Sequence, residues 1–130
     1  MIRRTPLKRG TKPLKRTPLR KVSKKRAKDG KIYSAKRKAF LALHPFCEVE
    51  LKEYGITQSE AIEIQGKFSI YDECKGFSTV LISPATDIHH TAKRTGKNYL
   101  DESTWLAVCR ENHEMIHANP SWARANGFLK

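Results

Sequence analysis

Charge is divided so unevenly along this chain that only part of it can fold around a core. Residues 1–38 hold 17 Lys or Arg against one acid, Asp29, a net +16; residues 39–130 hold 9 against 12, a net −3. Like charges at that density repel one another and leave little apolar surface to bury. Within the first stretch PLKR stands at 6–9 and 13–16 and PLRK at 18–21. Proline fixes φ and keeps the preceding residue out of helix, so an extended, polyproline-like leader is expected. We place a disordered basic tail at 1–30 and one folded domain at 31–130. A polyanion is the natural partner of such a tail, held by counterion release. Arg3, Arg4, Lys8, Arg9, Lys15, Arg16, Arg20, Lys21, Lys24, Lys25 and Arg26 are its expected phosphate contacts.

No apolar run approaches the ~18 residues that would span a bilayer, and no signal-peptide core follows the N-terminus, so a soluble, intracellular protein without a membrane partner is expected. Three scattered cysteines, Cys47, Cys74 and Cys109, are too few for a disulfide framework.

Along the body, Ile32, Ala35, Ala39, Phe40 and Leu43 recur at helical spacing up to His44-Pro45, predicting an amphipathic helix with Lys36, Arg37 and Lys38 facing outward. AIEIQ and FSIYD flank Gly66-Lys67 like a hairpin, with FSTVLI following, although helix also suits QSEAIEIQ. ATDIHH and WLAVC read as strands and ENHEMIHA as a helix, which Asn119-Pro120 stops. The same two residues suit the start of a last short helix closed by Gly127. Trp105 and Trp122 are expected in the core.

The five histidines are not scattered. His89 and His90 are adjacent on a strand and so point to opposite faces, which suits one imidazole for an ion and one for a proton. His113 and His117 lie four apart, on one helical face, where both can reach one ion.

DIHH followed by VCRENHEMIH resembles the HNH endonuclease family, and residues 40–130, interrupted at about 58–83, are similar to small phage-type HNH proteins. The resemblance implies an α+β fold built on a ββα-metal (His-Me) finger, treble-clef-like, with a flanking N-terminal helix and an inserted β-rich segment at 58–83. It implies a metal-dependent endonuclease hydrolysing DNA phosphodiester bonds, with RNA as another admissible substrate. His89, His113 and His117 would hold one divalent ion (Mg, Mn, Ni or Zn), and His90 would be the general base. Asp87 would orient an imidazole or an arginine. Lys93, Arg94 and Lys97 follow His90 directly: either they form a solvated loop, or Arg94 holds a phosphate beside the scissile one, where a forked donor suits the oxygens. If phage- or prophage-encoded, the protein would work in the bacterial cytoplasm.

Two departures from the family pattern stand out. The name-giving asparagine, nine residues before the first helix histidine, is Thr104 here, whose hydroxyl can make one tethering bond with less reach. Many relatives hold a structural zinc with two CxxC pairs, but here the pairs read Cys47-Glu-Val-Glu50 and Cys109-Arg-Glu-Asn112. Either Cys47, Cys74 and Cys109 still bind a structural zinc, or they are buried free thiols. The competing functional reading is a non-catalytic nucleic-acid-binding module built on a degenerate finger; a ribosomal-type RNA-binding protein would leave the ordered histidines unexplained.

Overall fold

The computed structural model describes Pro18 and residues 21–130; most of the basic leader, including Arg3, Arg4, Lys8, Arg9, Lys15, Arg16 and Arg20, lies outside the described residues. The described chain is α+β, with five helices and two small antiparallel sheets. In order they are α1 (Lys24–Leu43), α2 (Glu48–Tyr54), α3 (Gln58–Glu63), β1 (Lys67–Asp72), β2 (Gly76–Leu81), β3 (Asp87–His90), β4 (Trp105–Val108), α4 (Arg110–Ala118) and α5 (Pro120–Ala125). None of these helices is long and apolar enough to cross a membrane.

Helix α1 starts earlier than expected. The Ser23 hydroxyl accepts from the Arg26 amide and caps it, and the helix runs through Gly30 to Leu43. The boundary placed between 30 and 31 therefore falls inside one continuous helix, and Lys24, Lys25 and Arg26 belong to the helix rather than to an extended tail. Its packed face also differs from the expected one. Ile32 and Leu43 are exposed, while Tyr33, Phe40 and Leu41 pack against the body. Lys36 and Arg37 lie on that inner side. Lys36 Nζ reaches Glu102 at 2.8 Å and Arg37 Nη2 donates to the Thr86 carbonyl at 2.7 Å, so their stems cover apolar surface while their heads find oxygen. Of the three, Lys38 alone is exposed rather than half-buried.

The 58–83 segment is part helix. Thr57 and Glu60 form a reciprocal capping box, which starts α3 over the residues first read as a strand. The hairpin is instead β1 with β2, Lys67 opposite Leu81 and Asp72 opposite Gly76, turned by the Asp72 carboxylate accepting from the amides of Cys74 and Lys75. Gly66 sits at φ 68°, and a Cβ there would lie 2.5 Å from the Phe46 ring, so this position requires glycine.

Strands β3 and β4 pair with Asp87 opposite Val108 and His90 opposite Trp105. One face, with Ile88, Trp105 and Ala107, packs under Phe40 of α1. Val108 lies in a second cluster with Cys47, Val49, Cys109, Ile116 and Phe128, beneath α4 and the C-terminal residues. The two-stranded sheet is thus covered on both faces. Trp105 is in the core as expected; Trp122 is 37% exposed and only leans on Phe128, because α5 lies at the margin of that cluster.

Candidate metal centre

Alternation along β3 separates the adjacent histidines. His89 is 2% exposed; His90, on the α1 side, is half-buried. The His89 Nε2 donates to the Phe128 carbonyl at 3.1 Å. A carbonyl only accepts, so that nitrogen carries the proton and Nδ1 keeps its lone pair. Helix α4 brings His113 and His117 over the same face, with their Nε2 atoms 3.3 Å apart. Ring centroids lie 5.4 Å from His89 to His113, 5.2 Å from His89 to His117 and 4.8 Å between the helix pair. One ligand atom from each of the three residues falls within 4.8 Å of the others, a group that could hold a metal ion.

Burial first, then repulsion from His113 and from His117, pushes the His89 pKa down from 6.5 to about 4. Burial likewise lowers His113, with His117 adding to it and Asp87 opposing. Neutral imidazoles are the form that binds a cation. The sign of the pH effect follows. The unfolded chain takes up a proton on His89 near pH 6.5 while the folded chain resists until about 4. Without metal, stability should hold above 6.5 and fall as pH drops toward 4, by up to about 3 kcal/mol from His89 at 1.36 kcal/mol per unit. Chemical denaturation in chelator across that window checks this; a flat profile contradicts it.

His90 sits in an aromatic enclosure that sequence reading missed. Its ring stacks at 5.9 Å on Tyr33 and meets Trp105 edge-on at 5.8 Å, and its Nε2 lies 3.4 Å from the Tyr33 hydroxyl. Burial, and then the Arg94 guanidinium, depress its pKa, opposed by the Asn98 carbonyl. Repulsion from His113 is a further cause, so the two sides of the sheet are electrostatically coupled here. Arg94 itself lies over the rings of Tyr33 and Tyr99, at 5.0 and 5.2 Å.

Thr104 is buried, and its hydroxyl donates to the Asp101 carbonyl at 2.8 Å, with Asn98 O at 3.4 Å. Its own carbonyl accepts from the Thr91 amide at 2.8 Å. The threonine therefore ties the 98–101 loop to the end of β3, and Asn98 acts on His90 through its carbonyl. Asp87 faces arginines, Arg37 at 3.7 Å and Arg110 at 3.8 Å. Lys93 and Lys97 are exposed on the loop after β3.

A second cluster lies under the sheet. Cys47 and Cys109, the N-cap residues of α2 and α4, are buried beside Glu50, and this trio too could hold a metal ion. Asn112 Nδ2 donates to Cys47 Sγ at 3.2 Å and to Glu50 Oε1 at 3.1 Å. Glu50 Oε2 accepts from the Ser83 amide at 2.7 Å. Cys74 is not brought here; it is exposed in the turn of the β1–β2 hairpin, because the insertion carries it away on its own sheet. The residues that join the two cysteines are those at the missing CxxC positions, Glu50 and Asn112, a signal present in the spacing itself.

No protein-family model, no curated protein and no solved structure matches this chain.

Proposed function

We propose that this chain is a metal-dependent endonuclease of the HNH type, its β3–β4–α4 unit serving as a ββα-metal finger that cuts DNA. The observation that carries the reading is the convergence of ring nitrogens from His89, His113 and His117 within 4.8 Å, with His90 adjacent on the strand and outside that group. A divalent ion held there would supply charge for the phosphorane and for the leaving 3′ oxygen. His90 takes a proton from water at Nε2, the ring nitrogen that in this structure lies 3.4 Å from the Tyr33 hydroxyl. Its depressed pKa keeps the ring neutral, and so able to accept, at neutral pH. Thr104 positions the 98–101 loop against His90 in the role the family gives to asparagine. Asp87 holds Arg37 and Arg110 beside the site. Arg94, lying over the stacked rings of Tyr33 and Tyr99, presents N–H groups to a phosphate next to the scissile one.

For the second cluster the same reading assigns a structural zinc held by Cys47, Glu50 and Cys109, with Asn112 as fourth ligand through its amide oxygen. Zn–S and Zn–O bonds of normal length give tetrahedral edges of about 3.4–3.8 Å. Cys109 Sγ lies 3.7 Å from Glu50 Oε1, within that range, while Asn112 presents its Nδ2 to Cys47 Sγ and Glu50 Oε1 at 3.2 and 3.1 Å, so its amide would have to turn over to bring the oxygen to the ion. Without a cation, burial pushes the Cys109 thiol up to about 11. Purified chain should carry zinc that Glu50→Ala together with Asn112→Ala removes; a zinc-free, fully folded chain contradicts this assignment.

The function is tested by incubating the chain with supercoiled plasmid and Mg²⁺, Mn²⁺, Ni²⁺ or Zn²⁺ in turn. Conversion to nicked or linear DNA is expected with at least one ion and none in chelator. Binding without cleavage in every ion would leave the non-catalytic module as the better description.

A further inference from the structure

We infer that a phosphodiester strand leaves the reaction centre along a cleft between α1 and the loop at 94–100, so that α1 is part of the substrate track and more than a support for the sheet. The inference rests on the nucleic-acid reading above and gives the strand a path.

The cleft has a volume of about 730 Å³. Lys25 and Arg26, from the first turn of α1, form one wall; Arg94 and Lys97 form the other; Asp29 is the acid among its lining residues. Four cations against one carboxylate leave a net positive channel. None of the four makes an ion pair among the described residues, whereas Lys36, Arg37 and Arg110 are each neutralised by Glu102, Asp87 or Glu114. Unpaired cations facing each other across a groove repel, and a polyanion between them relieves that repulsion.

Position makes the anion a strand that passes through the active centre. Tyr99 lines the cleft and stacks on Tyr33 at 4.8 Å, and the Tyr33 hydroxyl contacts His90. Arg94 covers both tyrosines and lines the cleft as well, so the channel leads from its lysines to the ring that handles the proton. At its other end the α1 N-terminus joins the basic leader. Charged head groups spread along two walls suit successive phosphates rather than one compact anion.

The test is binding of a fluorescently labelled DNA duplex to the full chain in chelator, as a function of salt. Lys25→Gln with Lys97→Gln should make the log–log salt slope shallower by about 1.8, two phosphates at 0.9 each. Lys67→Gln with Lys75→Gln, on the remote hairpin, removes the same charge and should leave the slope unchanged. Asp29→Asn should tighten binding. Equal slopes for the two double variants would overturn the cleft while leaving the nuclease reading standing. Absence of duplex binding by the unmodified chain would overturn both. Displacement of the duplex by inorganic phosphate at equal phosphate concentration would make this a small-anion site and overturn the strand path.

Discussion

Replacing His90 with alanine is expected to slow plasmid cleavage by a factor on the order of 10² to 10⁴, the usual contribution of a positioned base. Ion binding and DNA binding should survive, because His90 is outside the group of ring nitrogens that converge from His89, His113 and His117. The fold should survive too. The ring is half-buried; its loss removes its contacts with Tyr33 and Trp105 but no member of the buried cluster of Phe40, Ile88, Trp105 and Ala107. Single-turnover cleavage, ion titration and duplex binding on the same variant separate these effects. Undiminished cleavage would remove His90 from the reaction.

The second large effect is on the ion. His117→Ala leaves two of three imidazoles, and should weaken divalent binding by more than the 10–100-fold that removal of a merely supporting residue costs. Its side chain is exposed, so stability in chelator should barely change. His89→Ala should abolish ion binding to a similar degree and also destabilise the metal-free chain. That ring is buried, and its loss leaves the Phe128 carbonyl without its partner, a cost of about 1–3 kcal/mol. Comparing the two variants in chelator separates the packing role of His89 from its role as a ligand. Equal stability of both variants would contradict the assignment of His89 as a buried, hydrogen-bonded ring.

The order of elements around the site was legible because it is local. Alternation at DIHH, a four-residue step between His113 and His117, and a Pro stop after Asn119 are properties of short windows, and the structure has β3, α4 and α5 there. What was not legible depends on contacts between distant residues. The inner face of α1 could not be read from apolar spacing, because Lys36 and Arg37 pack inward to reach Glu102 and Thr86. Nothing local ties Tyr33 to His90, 57 residues away. Glu50 and Asn112 were visible as departures from a cysteine pattern, yet their joint use needed the N-termini of α2 and α4 to meet. The capping box at Thr57 and Glu60 was a local signal for helix that outweighed the alternation of AIEIQ.

Everything proposed for the reaction rests on three rings sharing one cation and a fourth staying clear of it. Anomalous scattering from crystals soaked in Mn²⁺ locates that cation directly. The expected result is a peak at bonding distance from Nδ1 of His89 and Nε2 of His113 and His117, with the His90 ring unligated. No peak between these rings, or one that takes His90 as a ligand, would contradict it.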